Sequence, residues 1–352
     1  MVRRVVILAD ESAHWRVAGL RQLDRLALEI KEWAAHRAER AEIFIDWSAD
    51  VAPAARFVPC HPRLSPGDFV SPPNDIAEFS IGTRIFLHRN RALEAAATGP
   101  PKVGDDWEIL ENPAQIPACE KRFLRGAGKP QDGLVSRFVN RPVSRALTRT
   151  LLHTSITPSQ WTLLIFILPL AGSVFLARGR YSDIVIGLLF FQLYSILDGC
   201  DGEIARAKHL ASPRGAQLDT WCDTVGNLLM VLSLGFGLGR LGEGVAVALL
   251  IPTNELLLAI PARSARGTPA GATAATLYPR QRRLLDGGGL LFFGERFTAI
   301  LLQLTKRDVA LVAFLLLALA GLPAWILHSL GAVAAVSSLL ALKSMAGAQR
   351  AR

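Results

Sequence analysis

The sequence predicts an α-helical integral membrane protein of six transmembrane helices, preceded by a small soluble α/β domain. Three observations predict this. Apolar residues make up 51% of a 352-residue chain, which is high for a soluble protein. They gather into repeated long runs only from Trp161 onward. Up to about Lys129 the chain instead mixes charged, polar and Pro-rich stretches with short strand-like segments. The implied division is a soluble domain over 1–130, a linker with an amphipathic interfacial helix over 131–156, and a membrane domain over 157–352.

In the first part, Val5 to Ala9 reads as a buried strand, Val17 to Ala34 as a helix, Ile43 to Asp46 as a second strand and Arg84 to His88 as a third. Strand, helix, strand in that order predicts a parallel sheet. Arg3 and Arg4 precede an apolar run too short for a signal peptide. Pro100 to Pro130 is rich in Pro, Gly and charge and reads as a connector. Beyond it, Arg137, Arg141, Arg145 and Arg149 recur every four residues between apolar ones, the pattern of a helix lying on a membrane surface.

The candidate spans are Trp161 to Ala177, Ile184 to Leu197, Leu218 to Leu238, Val245 to Ala262, Val309 to Ala320 and Leu322 to Leu342. Several are shorter than the roughly 20 residues a bilayer needs, so their ends must extend through polar neighbours. With the N-terminus in the cytoplasm, the inside loops collect Arg206, Lys208, Arg214, Arg263, Arg266, Arg280, Arg282, Arg283, Arg296, Lys306, Arg307 and Lys343, against Arg178, Arg180 and Arg240 outside. That asymmetry predicts a multi-pass protein of the cell's inner membrane. It also accounts for the net charge of +9 through topology and anionic lipid, with no nucleic acid partner. Cys60, Cys119, Cys200 and Cys222 have no metal-ligand spacing and suit a reducing compartment, and Cys200 and Cys222 read as small packing residues.

From Asp198 to Asp223 the chain holds four aspartates, Asp198, Asp201, Asp219 and Asp223, in or beside apolar segments where charge is costly. Spacings of three and four put each pair on one helix face. Two facing acidic pairs predict a polynuclear metal site. Two divalent cations would offset the four charges, and Mg2+ or Mn2+ suits an all-oxygen ligand set. Gly202 leaves room for close approach of a ligand, and Arg206 offers a bidentate phosphate contact.

The positions Asp198, Asp201-Gly202, Ala205-Arg206, Gly215, Asp219 and Asp223 resemble the signature of the CDP-alcohol phosphotransferases, membrane enzymes that move a phospho-alcohol or phosphatidyl group from a CDP-linked donor to an acceptor hydroxyl and release CMP. The resemblance implies metal binding by Asp198, Asp201 and Asp219, with Asp223 as general base and further metal contact. It implies donor contacts at Gly202, Arg206 and Ser212, and a tight helix entry at Gly215. Thr157-Pro158-Ser159-Gln160-Trp161-Thr162 resembles the family's entry to its first span, with Ser159 where Asn is usual, and adds Ser159 and Thr162 to the donor site.

A homodimer with its site on the cytoplasmic side is expected, and Arg280, Arg282 and Arg283 are candidates to hold an anionic acceptor such as a polyol phosphate. The shared signature reads only the CDP part, so CDP-diacylglycerol and CDP-polyol donors both remain open. An inactive membrane binding protein, or a transporter using the acidic pocket, is the alternative of a different class.

Some family members carry a cytidylyltransferase domain in front, whose first strand runs into an A-A-G-x-G-x-R loop. Here the place reads Ala9-Asp10-Glu11-Ser12-Ala13-His14-Trp15-Arg16, and only Ala9 and Arg16 fit. Acidic groups where glycines would bring backbone N–H groups to a triphosphate repel it. The domain is therefore expected to be a degenerate relative of that enzyme.

Overall fold

In a computed structural model that describes residues 2–48, 60–65, 68–69, 79–88, 107–126, 133–250 and 306–350, the chain opens on strand β1 (Val2–Ala9). A 3-10 turn (Glu11–His14), a short hairpin of β2 (Arg16–Val17) and β3 (Leu20–Arg21), helix α1 (Gln22–His36) and strand β4 (Arg40–Trp47) follow. Next come β5 (Phe79–Gly82), β6 (Ile85–Leu87), β7 (Trp107–Ile109) and α2 (Ile116–Gly126). β1 lies between β4 and β5, all parallel, with Val5 opposite both Ile43 and Phe79. β6 and β7 pair separately and antiparallel.

Val5, Ile7 and Ala9 pack against Leu23, Leu26, Ile30 and Trp33 of α1, whereas Leu8 is 46% exposed. β1 is thus buried on one face, where the sequence reads as a strand buried on both; a parallel sheet covered on one side leaves the other to solvent. The expected helix from Val17 begins only at Gln22, because Ala18 and Gly19 take positive φ (49° and 82°) and turn the chain into the β2–β3 hairpin.

The expected connector over 100–130 holds β7 and α2 in its described part, contributing Trp107, Leu110, Cys119 and Leu124 to the interior. Pro113 there starts a helical turn, with the Asn112 side chain accepting from the Ala114 N–H at 3.0 Å, so a residue read as a breaker acts as an initiator.

The residues fall into two compact units whose boundaries differ from the linear division. The first is Met1–Ala127 with Arg145–Ile156 and Glu203–Leu210; the second is Gly128–Ser144 with Thr157–Gly202 and Ala211–Arg352. Helix α3 (Arg141–Leu151) follows a π-helical turn at Ser136–Asn140. That wider turn breaks the register of the expected arginine stripe: Arg137 is exposed and Arg141 buried. The interior side of α3 is polar, with Arg141, Ser144 and Thr148 buried, while Phe138, Val139 and Val143 are exposed. An outward apolar face is what a membrane-surface segment presents.

The second unit is helical. α4 (Pro158–Ile165) and α5 (Ile167–Arg178) follow one another with a break at Phe166, then come α6 (Tyr181–Leu197), the start of α7 (Gly199–Ala207), which from Glu203 belongs to the first unit, and α8 (Pro213–Gly237). α9 (Leu241–Leu250), α10 (Arg307–Leu319) and α11 (Ala324–Arg350) complete the described elements. α5 and α6 meet at Gly172 and Gly187, where a Cβ on Gly187 would lie 2.8 Å from the Gly172 carbonyl, so only glycine permits that approach. Around this contact pack Leu176, Ile184, Leu188, Phe191, Met230, Leu234, Leu311 and Phe314.

Two helical stretches among the described residues, Pro158–Arg178 and Tyr181–Ala207, are long and apolar enough to cross a membrane. The six expected spans are not reached. α10 has 13 residues, about 20 Å of helix against a hydrocarbon core of about 30 Å, and Arg214, Asp219 and Asp223 interrupt α8. Residues 251–262, the larger part of the expected fourth span, lie outside the described residues.

Within the first unit, His209 sits between two carboxylates of α1, its Nε2 3.3 Å from Glu29 Oε1 and its Nδ1 3.2 Å from Glu32 Oε1. Both ring nitrogens can donate only in the imidazolium form. Burial alone would lower its pKa, but the two carboxylates more than offset this and hold it above the ordinary value. Glu32, hydrogen-bonded by His209, is brought down to about 2 despite its partial burial.

A histidine raised in the folded state stabilises fully below its ordinary pKa near 6.5, and a carboxylate lowered in the folded state stabilises fully above its ordinary value near 4.5. The pair's contribution is therefore complete from about pH 4.5 to 6.5. It decays as pH rises through the raised histidine value, or falls toward 2. Melting curves across pH in detergent check this: His209→Gln flattens the alkaline limb, and an unchanged limb contradicts the assignment.

Candidate metal centre

The acidic site is built by three helix ends. α6 ends at Asp198, whose N–H still donates to the Tyr194 carbonyl at 2.8 Å, and α7 begins at once with Gly199. Asp201 lies in the first turn of α7. The chain re-enters at α8 through Ser212, whose hydroxyl accepts from the Gly215 N–H at 3.1 Å, with Pro213 fixing the first turn. Asp219 and Asp223 follow on this helix. α4 starts with a capping box in which Thr157 and Gln160 exchange side-chain and backbone hydrogen bonds, at 3.3 and 3.0 Å. The Trp161 indole donates to the Leu197 carbonyl at 3.0 Å, tying the start of α4 to the end of α6.

Asp198, Asp201 and Asp219 each offer a carboxylate oxygen, and these lie within 4.8 Å of one another. Three like charges at that separation repel by roughly 3–4 kcal/mol per pair at an effective dielectric constant of about 20. Asp198 Oδ1 is buried with no hydrogen-bond donor. A buried, unpartnered carboxylate oxygen facing two further carboxylates fits a divalent cation, and all donors are hard oxygens suited to Mg2+ or Mn2+.

Asp201 is positioned by Thr162, which is 2% exposed and donates from Oγ1 to Asp201 Oδ2 at 2.7 Å. The Gly202 N–H meets Asp201 Oδ1. Thr162, expected as a donor contact, thus has its hydroxyl turned to a ligating aspartate.

Asp223 stands one helical turn beyond Asp219 and outside the three-carboxylate group. Its Oδ1 accepts from the Tyr194 hydroxyl at 3.2 Å and pairs with Arg307 Nη1, whose guanidinium lies 5.0 Å from the Tyr194 ring centre. Neither contact uses Oδ2. Sequence reasoning placed Arg307 among loop cations and overlooked Tyr194. The signal was present for Tyr194, which stands four residues before Asp198 and therefore shares its face. None existed for Arg307, which arrives from a helix 84 residues away.

Of the other expected residues, Ser159, Ser212 and Gly215 converge: a Cβ on Gly215 would meet the Ser212 and Ser159 hydroxyls at 3.1 and 3.7 Å. Arg206 is exposed on the last turn of α7. Arg280, Arg282 and Arg283 lie outside the described residues. Cys200 and Cys222 are buried thiols, as expected.

A second group, His88, Glu108 and Cys119, also lies close together. Glu108 already pairs with Arg122 and His88, and burial pushes the Cys119 thiol up and away from the thiolate a metal needs.

At the carboxyl end of β1 a cavity of about 320 Å3 is lined by Asp10, Trp47, Ser48, Thr83 and Arg84, among others. Such strand-end crevices are where open α/β sheets take ligands. Here Asp10 occupies the anion's place itself. It accepts from the Ser12 N–H at 2.8 Å, the Thr83 hydroxyl at 3.2 Å and Arg84 Nε at 2.6 Å. Burial raises the Asp10 pKa, but these donors outweigh it and hold the carboxyl below its usual range.

Two outcomes are expected at the acidic site. Asp198→Asn removes a buried charge and raises the melting temperature in EDTA while abolishing stabilisation by added Mn2+; a lower melting temperature in EDTA contradicts the repulsion. Thr162→Val weakens Mn2+ affinity by about 10- to 100-fold, read by electron paramagnetic resonance of the free ion.

Residues 155–279 match the CDP-alcohol phosphatidyltransferase family. The chain is 36% identical over 244 residues to the "Bifunctional IPC transferase and DIPP synthase" of Rubrobacter xylanophilus, covering 68% of this chain and 49% of that protein. Proteins of the same name from Archaeoglobus fulgidus and Thermococcus kodakarensis are 31% and 33% identical, each over 121 residues, 34% of this chain and 24% and 27% of theirs. The chain therefore spans about half or less of the length of these relatives. Through residues 155–279 it belongs to the CDP-alcohol phosphatidyltransferase family.

Proposed function

We propose that this protein transfers a phospho-alcohol from a CDP-linked polyol to an acceptor hydroxyl, releasing CMP. The observation that carries the reading is the convergence of Asp198, Asp201 and Asp219, with Asp223 one turn further along α8, inside a family match that includes all four. A divalent cation held by the three aspartates would neutralise the donor's diphosphate and polarise the phosphorus that bears the alcohol.

The chain's own residues supply the rest. Gly202 and the Ser159–Ser212–Gly215 cluster offer a surface without bulky side chains for the nucleotide, and Arg206 offers a fork of donors to its phosphates. Asp223 is the base. Its Oδ1 is held by Tyr194 and Arg307, which leaves Oδ2 to accept the acceptor's proton. The acceptor oxygen bonds to the alcohol-bearing phosphorus, the phosphoanhydride bond breaks, and CMP leaves with the electron pair.

A CDP-polyol donor, rather than CDP-diacylglycerol, is favoured by the relatives. The match to the Rubrobacter xylanophilus protein extends over 244 residues, well beyond the 155–279 family segment, and that protein's name joins a transferase and a synthase rather than a phospholipid enzyme. The acceptor in this reading is an alcohol or polyol phosphate held in part by Arg280, Arg282 and Arg283. The protein works as a multi-pass homodimer in the inner membrane with its acidic site on the cytoplasmic side, a placement supported by the basic inside loops and the two membrane-length helices.

The test is CMP release by the purified protein in detergent. CDP-inositol and CDP-diacylglycerol are compared across polyols and polyol phosphates, with Mg2+, Mn2+ or EDTA. Metal-dependent release from CDP-inositol, reduced about 100- to 10,000-fold in Asp223→Asn, is the expected result. Release from CDP-diacylglycerol alone reassigns the donor. Release from neither, with Mn2+ still binding, points to a binding protein or transporter built on the same pocket.

A further inference from the structure

Helix α7 carries Asp201 and Gly202 in its first turn and Arg206 in its last, so the placement of its far end sets where the Arg206 guanidinium can reach. A helix leaves its final carbonyls without intrahelical donors. Two are met locally: the Leu210 N–H donates to the Ala205 carbonyl at 2.9 Å and the His209 N–H to that of Arg206 at 3.4 Å, the paired bonds of a Schellman ending. That ending needs a left-handed residue, which is usually glycine. Here it is His209, with φ of 50°, a conformation that costs a side-chain-bearing residue about 1–2 kcal/mol.

The next three carbonyls in succession are met by three basic side chains from the N-terminal α/β residues. Arg25 Nη2 donates to the Ala207 carbonyl at 2.9 Å, His61 Nε2 lies 2.9 Å from that of Lys208, and Arg63 Nη1 donates to that of His209 at 3.3 Å. Arg25 is 1% exposed. Its guanidinium also donates to the Val17 and Ala18 carbonyls and lies 5.0 and 5.4 Å from the ring centres of Phe86 and Phe123. Burying a guanidinium this deeply is costly, and Nη2 offsets part of that cost through three backbone carbonyls, one of them at the end of α7, while Nε and Nη1 are buried without an acceptor. Glu29 and Glu32 grip the His209 ring from α1, offsetting the left-handed strain. One buried layer beneath, the Thr148 hydroxyl donates to Glu203 Oε2 at 2.7 Å.

We propose that the α/β domain, whose strand-end donors are engaged by its own Asp10, serves as a positioning domain: Arg25, His61, Arg63, Glu29 and Glu32 together cap the C-terminal end of α7 and so fix Arg206 for the donor's diphosphate. The positioning of α7 stands on the contacts above; its consequence for the donor rests on the function proposed for Arg206.

The two parts are separated by two readouts on the full-length protein in detergent. Because Arg25 is a core residue whose loss risks unfolding, the variants are Arg63→Met, whose side chain is half exposed, and the double variant Arg63→Met with His209→Gly, which removes the grip while relieving the strain. Hydrogen–deuterium exchange of amides 203–212 is expected to quicken about tenfold in Arg63→Met and further in the double variant, with exchange in α1 and β1 unchanged. The Michaelis constant for CDP-inositol is expected to rise about tenfold with kcat within about twofold, and Arg63→Lys to restore it in part.

Unchanged exchange over 203–212 in the double variant overturns the positioning role. Faster exchange with unchanged kinetic constants confines the role to stability and overturns its link to the donor. If the wild-type protein releases no CMP from any donor, the proposed function fails, while the exchange result still judges the cap.

Discussion

Mutual repulsion among Asp198, Asp201 and Asp219 is the constraint around which the rest of this structure is arranged. Three carboxylate oxygens within 4.8 Å of one another, one with no donor at all, form a centre that the apolar helices around it do not stabilise. Each supporting feature answers that problem. Thr162 and the Gly202 N–H fix Asp201, the Ser212 cap brings α8 in at a defined angle, and the Trp161 indole locks α4 to the end of α6. Arg307 directs its guanidinium at Asp223, outside the three-carboxylate group.

The α/β domain shows the opposite economy. Its crevice at the end of β1 has the position and donors of an anion site, and Asp10 satisfies those donors from within the chain. What the domain presents elsewhere is a set of basic groups directed at backbone carbonyls. Arg25, His61 and Arg63 are directed there at backbone carbonyls, so what they recognise is where the helix stops rather than which side chains it carries.

Much of the site was legible in the sequence because it is local. Asp198, Asp201, Asp219, Asp223, Gly215 and Ser212 lie within one stretch, and helical spacing alone puts the right groups on the right faces. What could not be read were the partners from distant segments. Arg307 meets Asp223 across 84 residues and Arg25 meets Ala207 across 182. Thr162 was legible as a site residue, but the direction of its hydroxyl depends on how α4 packs.

In the fold, β1, β4 and β6 were readable from apolar runs, whereas β5 and β7 were not read as strands. Nor was the β2–β3 hairpin, because Ala18 in a left-handed turn carries no signal of its own. The π-helical turn before α3 likewise shifts a regular arginine pattern that spacing alone would keep in register. Of the six expected spans, two fall in helical stretches that are long and apolar enough to cross a membrane among the described residues.

The first unit is discontinuous in sequence: Arg145–Ile156 and Glu203–Leu210 belong to it as fully as β1 does. A domain assembled this way is not a detachable module. Gene fusion or fission at the apparent boundary near residue 130 would leave the turn at His209 without the carboxylates that hold its ring and the Ala207 carbonyl without its guanidinium. The helix end and the strands that hold it therefore fold as one piece.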